Sequence, residues 1–528
     1  MLHDRLRVQP FSDTTFNLNK LLRILPIMIL SKLFSGAAVA TLLALATLGT
    51  SSCSKDFIDL NDPIRLPSSE GYSDSLSIVT GVTAAYSSLQ DLYGNGSNRG
   101  LFVFAEIPSD NSFTVISGEL LNEFNDFTIS SINPRLQSQW LVTYRAIARC
   151  NIILNRASGV KLTAATRNRF FGEVRFIRAL AYFNAVRTWG DVPLVTAEIA
   201  SIAEAYQFGR TPKAQVYAQI EQDLAFAETN LPVAQTGANL GRITKGAAQG
   251  LLGKVLLTEK KYAEAAVALQ KVIDGNAYAL QATYVNIFLT TNEMNTEILA
   301  AARYTKGGLG IGSSFSTWFM PVLPAAVATT VNGNVGVGQQ FNSVDPDLVA
   351  AFTASGATDV RAAASFGAST TAGVTLYFTL KYNDVPTTAF DAENDWIILR
   401  YADVLLMYAE AVNEAGGPNA LALDAVNRVI RRSRNLPVAA AAPAVDLPAT
   451  VTKADLAIRL ELERRLELNF EGHRWFDLVR TDRAIPVMNA FFTRTASASR
   501  LDNNRLVFPL PIQEIQTNPV LTQNPGYN

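Results

Sequence analysis

KGAAQGLLGKVLLTEKKYAEAAVALQKVID, residues 245–274, holds two helical patterns that meet across a short polar turn. Leu252, Gly253 and Leu256 share one face of the first; Tyr262, Ala265, Leu269 and Val272 share one face of the second, at spacings of three and four. The twelve-residue step from Gly253 to Ala265, and the four to Leu269, match the small-residue spacing of a tetratricopeptide hairpin. A small side chain there lets the paired helices approach. A second pair of patterns, 401–415 and 420–432, is joined by Gly416-Gly417-Pro418. Neither hairpin can bury both of its faces alone, so stacking against neighbours must supply the core.

Helical periodicity extends outward from these pairs. Residues 75–92 carry apolar side chains at Leu76, Val79, Val82, Tyr86 and Leu89. Residues 137–157 do so at Trp140, Tyr144, Ile147 and Leu154, and 167–189 at Phe171, Val174, Ile177, Leu180 and Phe183, with Gly190-Asp191-Val192-Pro193 as the stop. The composition changes between the hairpins. Residues 305–388 are rich in Gly, Ala, Thr and Ser, with isolated aromatics and no sustained helical period. They read as long loops and short strands inserted into a helical scaffold, where binding residues tend to sit. The expected fold is therefore mainly α, a tetratricopeptide-like scaffold with a loop-rich irregular insertion.

With 48% hydrophobic and 17% charged residues, the chain has the composition of an ordered globular protein. Its formal charge of -1 gives no basic face for a nucleic-acid partner. The two cysteines are Cys53 and Cys150, and the two histidines His3 and His473, which leaves too few ligands for a Cys/His zinc site. No Gly-rich phosphate loop and no GxSxG elbow occur, and no cofactor is expected.

Near the N-terminus an uncharged apolar run, 36–48, follows Arg23 and Lys32 and precedes Gly49, Thr50, Ser51, Ser52 and Cys53. This is the layout of an export signal, too short for a spanning helix of about 20 apolar residues. Residues 1–52 are expected to be a lipoprotein-type signal peptide, with Met28 as an alternative start and Cys53 as the lipidated first residue of the mature chain. The residue usually branched in the cleavage box is displaced to Leu48, and secretion without lipid is the alternative.

Five blocks of sequence together resemble one family: FFGEVRFIRALAYFNAVRTWGDVPLV (170–195), GRITKGAAQGLLGKVLLTEKKYAEA (241–265), WIILRYADVLLMYAEAVNE (396–414), RRLELNFEGHRWFDLVR (464–480) and VFPLPIQEIQTNPVLTQNPGY (507–527). That family is SusD/RagB, cell-surface lipoproteins that bind nutrients for a TonB-dependent, SusC-type outer-membrane porin. The resemblance implies one SusD-like domain over 53–528, with 305–388 its insertion, and ligand capture without chemistry. It also implies an oligosaccharide ligand, a SusC-like porin as partner, and a place on the cell surface, held to the outer membrane by lipid. A peptide or another nutrient is the alternative ligand, and glycoside hydrolysis, which needs only two suitably spaced carboxylates, the enzymatic alternative.

Ligand-binding candidates are loop aromatics beside polar side chains, because a sugar offers an apolar C–H face and a hydroxyl rim. Tyr93, Asn95 and Arg99 have that composition, and Asp110 and Asn111 follow closely. In and beside the insertion the choices are Arg303, Tyr304, Trp318 and Phe319, with Trp318 expected as an exposed platform among small hydroxyl residues. For each aromatic the plainer reading is a ring that packs its own loop. His473 and Asp477 lie four apart, but a structural ion-pair network is the expected role for both.

The anchor is testable directly. Several acyl chains hold a protein to a membrane where one does so marginally, so Cys53→Ala should release soluble protein; undiminished membrane retention after fractionation would count against lipidation.

Overall fold

The helix starts are set by side chains that accept the first free backbone N–H groups. In this computed structural model, which describes residues 72, 74–95, 98–114, 120–321, 338–371, 373–384, 386 and 388–527, Asp74 and Ser77 form a reciprocal capping box at the head of α1 (Ser75–Tyr93). Asn133 caps α2 (Pro134–Arg156), with Pro134 in the first turn, where its missing N–H costs nothing. Thr163 caps α3 (Ala164–Trp189), which ends at Gly190 as its sequence predicts. Next come α4 (Lys213–Asn230), α5 (Lys245–Thr258) and α6 (Tyr262–Asp274).

Each of these helices packs on the next: α1 on α2, α2 on α3, α3 on α4, α4 on α5 and α5 on α6. The stack continues from α6 to the second hairpin. Its members, after the short α7 (Phe315–Phe319) and α8 (Pro346–Ser355), are α9 (Tyr401–Gly416) and α10 (Ala420–Ser433); α11 (Lys453–Glu467) also lies on α9, and α12 (Arg474–Arg480) follows. Both hairpins read from the sequence are present, and the fold is mainly helical. The stripe on α1 is shifted from the expected one. Leu76 and Val79 are exposed, and the buried line runs through Ile78, Val82, Ala85, Leu89 and Leu92.

The insertion contains the expected loops and strands and, among its described residues, three helices that were not expected: α7, α8 and a short one at Arg361–Ser365. Asp345 accepts the Asp347 N–H and Pro346 opens α8, a start signal present in the sequence but overlooked beneath the small-residue composition. The strands are β1 (Ser112–Phe113), β2 (Ile298–Ala302), β3 (Ser343–Val344), β4 (Phe366–Thr371), β5 (Val374–Thr379) and β6 (Trp396–Arg400). They form a four-stranded sheet in the order β1-β3-β5-β4 and a separate antiparallel β2-β6 pair. Every residue of β2 and β6 is buried. The leader 1–52, Cys53 and the apolar contact expected at Phe57, Ile58 and Leu60 lie outside the described residues.

A buried ionic network joins these parts. Arg400, at the end of β6, bonds Glu297 (2.9 Å), Glu467 (2.6 Å) and Glu471 (2.7 Å). Arg432 of α10 bonds Glu297 at 2.8 Å and also reaches Glu467. From the insertion, Lys381 meets Glu471 at 2.8 Å, and Arg361 meets Glu463 at 2.9 Å. All of these side chains are fully buried. Burial alone would raise the Glu467 carboxyl, but Arg432, Arg400 and Arg361 bring it down to about 2.

The close approach of α5 and α6 is set at Gly253. A Cβ there would lie 2.4 Å from Leu269 Cγ, closer than carbon atoms tolerate. Gly253→Ala should therefore lower stability by about 1–3 kcal/mol, read as a shift in the denaturation midpoint. Leu269→Ala should cost less in that background than it does alone; strictly additive effects would show that the two positions do not press on each other.

Candidate glycan-binding site

Seven of the sequence-predicted residues come together at one end of α1. Tyr93 closes the helix and Gly94 follows at a φ of 139°; a Cβ on Gly94 would lie 2.8 Å from the Trp318 ring, so only glycine lets the indole lie against this backbone. The Tyr304 hydroxyl donates to the Gly94 carbonyl at 2.8 Å, and Gln90 Nε2 donates to the Arg303 carbonyl at 2.7 Å. Asn95 and Asn98 exchange backbone hydrogen bonds of 3.1 Å across the turn that presents Arg99. The Arg99 guanidinium lies between two rings, 5.1 Å from the centre of Trp318 and 4.9 Å from Phe341.

The aromatic candidates are brought together but do not face solvent. Trp318 is 0% exposed, and Phe319, Tyr304 and Tyr93 are buried with it, which corrects the expectation of an exposed Trp318 platform. Phe315, Trp318 and Phe319 fall at i, i+3 and i+4 on α7, a short helix whose five residues are all buried. Phe315 packs at 4.7 Å on Trp396 of β6, Trp318 meets Phe315 edge-on at 5.6 Å, and Phe319 meets Phe102 edge-on at 5.0 Å. The Tyr382 ring lies parallel to Trp396 at 5.1 Å, so the cluster is continuous.

Asp110 and Asn111 are not part of this group. Arg474 donates to both Asp110 carboxylate oxygens at 2.7 and 2.9 Å, and Arg465 Nε donates to Asn111 Oδ1 at 2.8 Å. Burial works against the Asp110 charge, yet Arg474 and Arg465 hold its pKa well below the usual carboxylate range. Both residues are buried, which corrects their selection as exposed ligand contacts: they join the loop after α1 to α11 and α12. His473 and Asp477 are similarly engaged. Lys254 Nζ lies 2.9 Å from His473 Nδ1, and burial, then Lys254, hold the imidazole down to about 3. Asp477 accepts from Arg464 at 3.0 Å and from Arg480 at 2.9 Å.

Asn95, Arg99 and Arg303 keep part of their surface outside, and one exposed ring tied to α7 was not among the residues the sequence analysis selected. Phe390 is 42% exposed and its backbone sits at a φ of 67°, a conformation that costs a bulky L-residue about 1–2 kcal/mol. Its N–H donates to Thr317 Oγ1 of α7 at 3.1 Å, which ties its backbone to that helix. The next residue, Asp391, accepts from the N–H groups of Gly307 and Gly308 at 2.9 Å each, tying in the 307–312 loop. Phe390 lies two positions beyond the expected insertion; an aromatic isolated in a polar loop, TTAFDAEN (387–394), was its only sequence signal.

Residues 56–257 match a family model described as "Starch-binding associating with outer membrane", and residues 337–527 match the model of the SusD family. The chain belongs to the SusD family. It is similar to the SusD-like protein P38 of Formosa agariphila, 26% identical over 517 residues that cover 92% of this chain and 98% of that one. Among solved structures it resembles a laminarin-binding SusD-like protein, with 28% identity, a TM-score of 0.72, and coverage of 86% of this chain and 100% of the other. The surface glycan-binding protein A of Bacteroides thetaiotaomicron, solved in complex with laminarihexaose, shares the fold at 20% identity and a TM-score of 0.72, over 86% of this chain and 100% of that chain. The first of the two matched descriptions associates its members with the outer membrane.

A buried Trp318 changes what its removal should do. Truncating a large buried ring costs about 3–5 kcal/mol, so Trp318→Ala should lower the thermal midpoint sharply, as measured by circular dichroism. An unshifted midpoint would mean that the ring is not packed as described.

Proposed function

We propose that this protein is a cell-surface, glycan-binding lipoprotein that captures an oligosaccharide and delivers it to a SusC-like TonB-dependent outer-membrane transporter. In this reading, residues 53–528 act as one SusD-like unit with 305–388 inserted, and Cys53 carries the lipid. The ligand is held without turnover. The observation that carries the proposal is Phe390: a solvent-exposed ring at a strained backbone position, its N–H held by Thr317 of the helix that carries Trp318, the ring over which Arg99 lies. Strain of this kind tends to gather at functional sites. A flat ring offers stacking to the C–H face of a sugar, and amide and guanidinium groups offer hydrogen bonds to its hydroxyl rim.

Tyr93, Tyr304, Trp318 and Phe319 serve the site from beneath, by fixing the turn that carries Asn95 and Arg99 and the strap that carries Phe390. The laminarin-binding relative, similar over most of both chains, favours a glycan over a peptide as the ligand.

A glycan and peptide panel tests the class of ligand, and Phe390 tests the place. Losing an aromatic anchor commonly costs about 2 kcal/mol, or roughly thirty-fold in affinity. Phe390→Ala should weaken glycan binding by about that factor in calorimetric titration while the melting temperature stays within a few degrees. Wild-type affinity in the folded variant would move the site elsewhere, and peptide binding without glycan binding would change the ligand.

A further inference from the structure

We infer that the cleft between β1 and the helix Ala484–Arg494 is a second site for a neutral sugar, built from none of the residues around Phe390. Four segments far apart in sequence wall it: Phe113 of β1, Asn125 and Asp126 at the end of the short helix Asn122–Asp126, Asp345 ahead of α8, and Phe491 with Ser497 in and after the helix Ala484–Arg494. Its volume is about 370 Å³, near the lower end of the roughly 300–1,000 Å³ usual for small-molecule sites. Rings and polar side chains thus line one cavity. The inference shares its ligand class with the proposed function but not its place.

The apolar wall is held by packing. Phe491 meets Phe492 edge-on at 5.8 Å, and Phe492 meets Phe127 edge-on at 5.8 Å; Arg494 lies over the Phe491 ring at 5.2 Å. Some polar groups are spent on the walls themselves. Asn125 Oδ1 accepts the Thr114 N–H at 2.9 Å and its amide donates to the Ile107 carbonyl at 3.3 Å, while Asp345 accepts the Asp347 N–H at 2.8 Å and has Arg494 at 3.7 Å. Others are left over. Among the described residues no donor or cation answers the Asp126 carboxylate, and burial alone raises its pKa. Ser497 Oγ accepts the Ser499 N–H at 3.1 Å, which leaves its O–H to donate, and Thr495 Oγ1, which lines the same cleft and donates to the Phe491 carbonyl at 3.0 Å, can still accept.

This mixture of groups decides the ligand class. An ammonium ion would use the acceptors and leave Ser497 idle, and an anion would meet Asp126 unneutralised. A sugar hydroxyl both donates and accepts, and the C–H face of its ring suits the wall made by Phe113 and Phe491. A hydrogen bond to an ionised carboxylate is roughly twice as strong as one between neutral groups, so Asp126 gives the strongest polar contact and gains the partner it lacks.

The test titrates the full mature chain with trisaccharides of glucose, mannose, xylose and galactose, by calorimetry and by ligand-observed NMR. A trisaccharide bound by the wild type should stay measurably bound to Phe390→Ala. In that background Ser497→Trp, which fills the cleft, should abolish the residual binding, and Asp126→Asn, a change at an exposed residue, should weaken it about fivefold. If Ser497→Trp does not fold, Asp126→Asn decides. No residual binding in Phe390→Ala, or residual binding indifferent to the deciding variant, overturns the inference and leaves capture at Phe390 intact. Binding that ignores Phe390→Ala and is lost in the cleft variants supports the cleft and removes Phe390 from the site. Binding of no sugar by the wild type overturns the proposed function and this inference with it.

Discussion

The guanidinium of Arg400 is the point on which the rest of the structure turns. It sits at the junction of β6 and α9 and is shared by Glu297, which precedes β2, and by Glu467 and Glu471 on either side of the turn from α11 to α12. Three segments far apart in sequence thus meet at one charge, and Arg432 and Lys381 extend the contact to α10 and the insertion. Desolvating so many charges is expensive, and replacement by apolar side chains can even stabilise such a site. What the network supplies is uniqueness: each carboxylate has a partner only when every segment occupies its own place, and removing one partner leaves a buried charge uncompensated. Helix stacking by apolar faces alone is more permissive, since one greasy stripe packs on another in several registers.

Lys381 and Tyr382 couple this network to the candidate site. The lysine bonds Glu471 and donates to the Glu467 carbonyl at 3.1 Å, while the adjacent tyrosine lies parallel to Trp396. Trp396 begins the strand that ends in Arg400, and its other neighbours are Phe315 and Tyr93. One dipeptide of the insertion therefore belongs both to the ionic centre and to the aromatic floor. Mainly apolar contact beneath the surface loops then holds Thr317, and through it Phe390, in place.

The scaffold was legible in the sequence because its physics is local. Apolar residues three and four apart report on one helix without knowledge of the rest. Gly253 and Leu269 carried a tertiary contact for the same reason: their spacing is fixed by the hairpin. The stripe on α1 was misplaced by a shift of phase: Leu76 and Val79 face solvent while Ile78, between them, is buried. The site was less legible. The small residues around Trp318 suggested a loop, yet Ser314, Ser316 and Thr317 are buried, and small size is what lets a crowded ring cluster close around α7. The i, i+3, i+4 spacing of Phe315, Trp318 and Phe319 was the better signal. Nothing local distinguishes Phe390, whose exposure depends on Asp391 fastening to a loop some eighty residues earlier.

The contrast between buried and surface charge completes the argument. In the core, arginines are matched to carboxylates from several directions, so that Glu467 remains ionised at almost any pH the protein meets. In the loops that follow Phe390, Asp391 and Glu393 are satisfied by backbone N–H groups, while Glu293, Asp384 and Asp395 pair with Arg303 and Lys306. The same side-chain chemistry serves two ends because its balance differs. Matched and dry, it fixes how segments of the chain assemble; nearer water, it fastens one loop to another through neutral hydrogen bonds.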